Sequence, residues 1–190
     1  FEHIYEITYL KHLEDLFDAV FGKCVEFIKG KCFEYQAAPE GNLAVSTMRL
    51  MYAFMNEYDM VSIEGISKLK PEDLIARMDM IFLYSIIWSV GATTTEAGRK
   101  LFGTFFKKLI GDTIKCDNHK DRLLKLDKSA ILPEGSGSII QDYYLEDFKW
   151  KNWRERLDKH EMVLSPEMRY HDIVVPTTES LRIASFLKLS

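Results

Sequence analysis

The sequence predicts a mainly α protein. A helical bundle over residues 1–111 is followed by a mixed extension with a short strand or hairpin and a C-terminal helix. Three observations carry this. From Phe1 to Ile28 apolar residues recur at three- and four-residue steps, as one buried helix face requires. The breaks in that pattern fall on helix stop and start residues. After Gly111 the periodicity fades and turn residues gather at Pro133-Glu134-Gly135-Ser136-Gly137.

The first helix carries Phe1, Ile4, Tyr5, Tyr9, Leu13, Leu16, Phe17, Val20, Cys24, Phe27 and Ile28 on one face, and Gly30 and Pro39-Glu40-Gly41 break it. Asn42 can cap a second helix through Leu43, Met48, Met51, Tyr52 and Met55, whose apolar positions read as core. A linker follows through Ser62 and Gly65. Pro71 at a first-turn position, with Glu72 and Asp73 beside it, opens a third helix to about Val90. Its stripe Leu74, Met78, Ile81, Tyr84 predicts burial of Trp88. Gly91 closes it, Thr93 and Glu96 have capping-box spacing, and a fourth helix runs to Ile110 with Gly111 as its stop.

Residues 112–171 read as a connecting segment. Asp112 to Gly137 is polar, Ile139, Ile140, Tyr143 and Tyr144 suit a short strand or hairpin arm, and Trp150 and Trp153 stand on a charged stretch. Residues 172–190 read as the beginning of a further domain. Ile173–Val175 is β-branched and precedes Pro176, which disfavours helix before it. Thr177 can cap a last helix with Leu181, Ile183, Phe186 and Leu187 on its apolar side. The chain opens mid-pattern at Phe1 and closes just after this strand-turn-helix unit, so both ends are expected to continue in a longer polypeptide.

Composition narrows function. With 47% apolar and 13% aromatic residues in a chain of 190, a packed core is expected. A net charge of −4 gives no general attraction to nucleic acid or anionic lipid, so neither is expected as a partner. The apolar run Ile81–Val90 is about half a membrane span and reads as a core helix. Cys24, Cys32 and Cys116 form no disulfide framework and fit a reducing cytosolic compartment. Cys116-Asp117-Asn118-His119 lacks two further ligands at a recognisable spacing, so no metal is expected.

Gly22-Lys23-Cys24 and Gly30-Lys31-Cys32 imitate phosphate loops. Neither is followed by Ser or Thr, and Phe17 and Val25 stand where the first loop glycine would be. Gly135-Ser136-Gly137-Ser138 lacks the lysine. His171-Asp172 has no Ser or Cys in a nucleophile-elbow context, and His3 and His12 have no i,i+4 metal spacing. No catalytic residue is assigned, and the chain alone is expected neither to hydrolyse nor to hold ATP tightly.

Three blocks carry a family signal. Leu83-Tyr84-Ser85-Ile86-Ile87-Trp88-Ser89-Val90-Gly91 with Gly98-Arg99-Lys100-Leu101-Phe102 resembles the small helical domain of the second AAA+ module of dynein heavy chains. Asp142-Tyr143 with Trp150 and Trp153 resembles the connection leaving that domain. Val174-Val175-Pro176-Thr177-Thr178-Glu179-Ser180-Leu181-Arg182 is similar to the start of the third module, whose pattern is V-P-T-x-D-T-V-R; Glu179, Ser180 and Leu181 replace Asp, Thr and Val. The Pro133-Glu134-Gly135 and Asp142-Tyr143 region looks more axonemal than cytoplasmic.

The resemblance implies an AAA+ small (lid) domain, a non-catalytic transmission part of an ATP-driven microtubule motor. Its partners would be neighbouring AAA+ modules of the same chain and, through the parent protein, microtubules and dynein subunits. Its location would be cytoplasm and cytoskeleton, in a cilium or flagellum axoneme. ATP or ADP would be the cofactor of the intact motor only. There Val174, Val175, Pro176 and Thr177 would form the adenine wall of the next module. A second reading from a different class is an α-helical scaffold that binds partners through an apolar face, with Trp150 and Trp153 as anchors.

Overall fold

The computed structural model describes residues 2–118, 121–133, 139–159, 169 and 175–189, with the side chains of residues 2–8, 63 and 189 excepted. The first helical rod has three parts: α1 (Glu2–Leu16), a π turn (Phe17–Phe21) and α2 (Gly22–Lys31). It buries Leu16, Ala19, Val20, Cys24, Val25 and Ile28. Gly30 does not break it, because a single glycine costs a helix only about 1 kcal/mol; the chain leaves at Cys32, whose backbone turns extended.

Helix α3 (Glu40–Glu57) starts after Pro39, two residues before the expected Asn42 cap. Proline fixes φ and cannot donate, so it enters the helix without a side-chain cap, and its carbonyl accepts from the Asn42 and Leu43 N–H groups. The buried stripe is Leu43, Thr47, Met51 and Phe54. Met48 and Tyr52, expected in the core, are 50% and 61% exposed because they fall off that stripe. The expected linker contains a short helix, α4 (Ile63–Ser67), capped by Ser62, whose hydroxyl accepts from the Gly65 N–H. Gly65 is obligatory: a Cβ there would meet the Asp59 carbonyl oxygen at 1.7 Å.

Helix α5 (Pro71–Ser89) is the axis of the molecule, packing on α1, α3 and the later elements. From Met78 to Val90 only Trp88 is not buried. The stretch Pro71–Thr93 is long and apolar enough to cross a membrane, yet 78% of its most apolar window is covered by the rest of the fold, as expected of a core helix. Trp88 is largely covered, as the stripe predicts, and its outer side faces a seam.

After a 3₁₀ turn (Gly91–Thr93), α6 (Glu96–Gly111) is capped by Thr95, whose hydroxyl accepts from the Gly98 N–H. The expected cap, Thr93, is consumed elsewhere. Its hydroxyl donates to the Val90 carbonyl, and the strand-like pairing of Glu34 with Thr94 holds residues 93–95 against residues 33–35. Helix α6 packs on α2, where Phe105 stacks on Phe27 at 4.0 Å.

The polar stretch after Gly111 is not a surface loop. Strands β1 (Ile114–Lys115) and β2 (Leu123–Leu124) pair antiparallel, and a 3₁₀ turn (Lys128–Ala130) follows. Ile114, Cys116, Leu124, Leu126, Ala130 and Leu132 all enter the single core. Polar contacts fix the arm to the first rod: Asp18 accepts from the Asn118 N–H (2.9 Å), Lys23 pairs with Asp117 (2.8 Å), and Arg122 pairs with Asp15. The Cys24, Cys32 and Cys116 thiols are free, and burial pushes each above its ordinary value.

A fully buried carboxylate joins three distant segments. Asp79 on α5 meets His12 Nε2 on α1 at 2.7 Å through Oδ1, and its Oδ2 accepts the Asp127 N–H at 3.1 Å. Both oxygens therefore have partners, as a buried charge requires.

A hairpin of β3 (Tyr143–Glu146) and β4 (Lys149–Asn152) closes this half, with Tyr143 opposite Asn152 and Glu146 opposite Lys149. Ile140–Asp142 is a 3₁₀ turn, so the expected strand begins later, and Trp150 belongs to its return arm. The two-residue turn Asp147-Phe148 has φ of 50° and 54°. Such turns usually use Asn-Gly. Here Phe148 is held in place by Tyr58 (ring centroids 4.5 Å apart) and by Arg77, 4.4 Å over its ring. Asn152 caps α7 (Trp153–Asp158), accepting from the Arg154 N–H at 2.9 Å.

The last element, α8 (Thr178–Leu189), folds back on the bundle. Thr177 caps it as expected: its Oγ1 accepts the Ser180 N–H (3.1 Å) while its own N–H donates to Ser180 Oγ (2.9 Å). Of the four residues expected on its apolar side, Leu181 and Phe186 pack on the core, whereas Ile183 and Leu187 are 57% and 70% exposed.

Candidate functional site: the seam beneath the last helix

The seam between α8 and the bundle brings residues from four parts of the chain together. Phe186 is its anchor. Its ring lies 4.7 Å from Trp88 and 6.3 Å from Tyr84, both on α5, and Tyr84 in turn contacts Phe54 on α3 (5.0 Å) and Trp150 on β4 (6.0 Å). The i,i+4 spacing of Tyr84 and Trp88 puts both rings on one face of α5. Burial pushes the Tyr84 hydroxyl well above its ordinary range, so it stays neutral.

Polar contacts fix the angle of α8. Arg182, 8% exposed, reaches Asp142 at 2.8 Å and Glu179 at 2.9 Å. Asp142 is itself held, its other oxygen accepting the Ile139 N–H at 3.0 Å. Buried, charge-assisted contacts of this kind are directional as well as attractive. Arg156 on α7 donates to Ser185 at 3.4 Å and lies over the Tyr144 and Trp153 rings at 5.3 and 5.6 Å. A cleft of 150 Å³ remains beside the seam, between Tyr58, Tyr144, Arg156 and Phe186.

Trp150 and Trp153 are unsuited to anchor an outside partner. Trp153 is 1% exposed against Tyr144 (4.5 Å), and Trp150 donates its indole N–H to the Ala130 carbonyl at 3.0 Å. The seam takes both indoles inward because β3, β4 and α7 close over the 3₁₀ turn and α5.

The proposed adenine-wall residues stand immediately before α8. Val175 is 62% exposed, Pro176 is partly covered, and Thr177 has its hydroxyl and N–H engaged by Ser180. Val174, Ile173, Asp172, His171, His119 and the Gly135-Ser136-Gly137 turn lie outside the described residues. Among the described residues no three His, Cys, Asp or Glu side chains come together as a metal site. Both imitation phosphate loops lie in or at the end of α2 and present no loop backbone.

This bundle, with a helix-capped extension folded on it, was compared with known proteins. Residues 13–155 match the family model described as dynein heavy chain AAA lid domain. The chain belongs to that family. It is 31% identical over 185 residues to dynein axonemal heavy chain 3 of Mus musculus, and 31% identical over 183 residues to the Homo sapiens protein of that name, each covering 93% of the chain. It is also 26% identical over 202 residues to dynein axonemal heavy chain 1 of Homo sapiens, covering 95%. The chain spans about 4% of the length of these relatives. A lid domain of axonemal dynein type agrees with the resemblance in the sequence and with the mainly helical architecture.

The seam has parts that the sequence reading did not name. Arg182 and Asp142 are 40 residues apart, and Arg156 and Ser185 are 29 apart, so no local spacing signals either pair. Asp142 was legible only as one half of the Asp142-Tyr143 resemblance.

Proposed function

We propose that this lid domain is a non-catalytic transmission part of an ATP-driven, microtubule-directed dynein motor. It is the small domain of the second AAA+ module, and residues 172–190 open the third. The observation that supports this is the seam: among the contacts that hold α8 to the bundle are an aromatic plug, Phe186, and a directional ion pair, Arg182–Asp142. A lid that turns on its own module would carry α8 with it as one body, and α8 is the element that leads into the next module. Hydrolysis chemistry belongs to the flanking large domains, and the neighbours of this domain are modules of the same heavy chain. The place of work is the cytoskeleton of the ciliary or flagellar axoneme, by the names of its relatives.

The residues before α8 fit one half of a nucleotide. Val175 and Pro176 offer an apolar face, suited to the flat base of ATP or ADP, and Val174 and Thr177 flank them. They offer nothing for phosphates, which require a backbone N–H cradle and a cation. The wall is therefore completed only in the intact motor. Val175→Asp in that motor is expected to weaken nucleotide binding at the third module by placing an unpaired carboxylate against the base. Nucleotide titration giving unchanged affinity there would remove the role.

The coupling role has its own test. Phe186→Ala combined with Arg182→Gln in the full motor is expected to lower microtubule-stimulated ATP turnover while leaving nucleotide binding at the flanking modules intact. Unchanged stimulated turnover would sink the transmission reading.

A further inference from the structure

The loop between α2 and α3 carries an extended run, residues 32–35, that is fixed along one edge and open along the other. The Tyr35 N–H donates to the Thr93 carbonyl at 3.0 Å, and the Thr95 N–H donates to the Phe33 carbonyl at 2.9 Å, with Glu34 opposite Thr94. In an antiparallel pair of this pattern the middle residue turns its own N–H and C=O to the far edge. Among the described residues nothing bonds to the Glu34 N–H or C=O.

The run is firmly seated. Thr94 is buried, and a Cβ at Gly98 on α6 would meet the Thr94 Cβ at 2.9 Å and the Cys32 Cβ at 3.3 Å. Alternation puts Phe33 and Tyr35 on one face, opposite Glu34, whose carboxylate accepts the Thr93 hydroxyl at 3.5 Å. Phe33 is 84% exposed and Tyr35 71%, the highest values among the large apolar side chains described.

We propose that this edge receives an extended strand from elsewhere in the same heavy chain, with apolar side chains at alternate positions covering Phe33 and Tyr35. The open N–H and C=O of Glu34 stand where an added strand's backbone would bond, so the occupant is extended. The two rings leave from one face, so they meet residues two apart on that strand. Edges that must stay unpaired are commonly guarded by lysine or proline, and residues 32–35 contain neither. The source follows from length: the chain spans about 4% of its relatives, so a long polypeptide tethered to this domain lies outside it. This rests on the reading that the domain's neighbours are parts of its own heavy chain, and it names a place, separate from α8, where one of them docks.

The test uses the purified full-length motor. Phe33→p-benzoylphenylalanine, irradiated and mapped by mass spectrometry, is expected to give an adduct within the same heavy chain, at a segment of alternating apolar residues outside residues 1–190. An adduct to a different polypeptide, an adduct confined to residues 1–190, or none would overturn the proposal.

Hydrogen exchange in the same motor reads the backbone bonds. The Glu34 amide should be protected in wild type, although nothing described within the domain accepts it. Phe33→Ser with Tyr35→Ser changes two exposed side chains, so the domain should keep its melting temperature. Exchange of the Glu34 amide should then rise at least about tenfold, while the amide at position 35, bonded to Thr93 in both proteins, changes little. Equal exchange of the Glu34 amide in the two motors would overturn strand addition. Either failure leaves the Phe186 and Arg182 test of transmission standing, so the two readings fall separately.

Discussion

Asp79→Ala is expected to lower unfolding free energy by roughly 2–6 kcal/mol, because two groups then lose their acceptor at about 1–3 kcal/mol each. Asp79 is 0% exposed and serves three segments: its own helix α5, His12 on α1 at 2.7 Å, and the Asp127 backbone at 3.1 Å. Alanine leaves the His12 ring, 13% exposed, without its acceptor and strands the Asp127 N–H. Asp79→Asn should lose less, since the amide oxygen still accepts one of the two bonds. Replacing both His12 and Asp79 by leucine should be milder than Asp79→Ala, because no polar group is then left buried and unpaired. Urea unfolding monitored by circular dichroism would show a lower midpoint at unchanged slope. A loss below about 1 kcal/mol would mean that the carboxylate is not the tie between these segments.

Trp153→Ala should cost a similar amount for a different reason. The ring is 1% exposed, stacks near Tyr144 at 4.5 Å and lies beneath Arg156 at 5.6 Å. Its indole N–H has no hydrogen-bond partner, so the loss is one of apolar transfer and cavity formation, about 3–5 kcal/mol for a tryptophan. For a chain of this size that is a fall of roughly 6–20 °C in melting temperature. Trp153→Phe should recover most of it. The less deeply buried Trp88 should be the milder site, with Phe186 the contact most affected. If Trp88→Ala proved the worse of the two in a thermal melt, the placement of α7 over the core would be wrong.

Much of this architecture could be read from residues. The start of α5 was legible because Pro71, Glu72 and Asp73 are each favoured in a first helical turn, and the last cap because Thr177 precedes an amphipathic run. Other features were hidden by physics that does not act along the chain. The cap of α6 moved from Thr93 to Thr95 because residues 33–35 pair with that loop. The Asp147-Phe148 turn carries no glycine, and only Tyr58 and Arg77 explain its positive φ values. Ile114, Leu124 and Leu132 enter the core singly from a largely polar stretch, without a period to mark them. In the seam, Phe186 was readable as apolar, but its pocket is built by Tyr84 and Trp88, about a hundred residues earlier.

The π turn at Phe17–Phe21 lets the first rod hold one residue more than regular winding would without ending the helix. Each residue of an α-helix advances it by about 100°, so an extra residue in regular winding would turn one flank away from the other by that angle. The wider turn takes up the extra residue, and both flanks keep their faces inward. His12 faces Asp79 and Asp15 faces Arg122, while Cys24 and Ile28 keep their own place in the core. Loss of a single residue from this turn should therefore restore regular winding and leave both charged side chains near their partners. The turn acts as a buffer for chain length, and a one-residue deletion there is a change of size more than a change of angle.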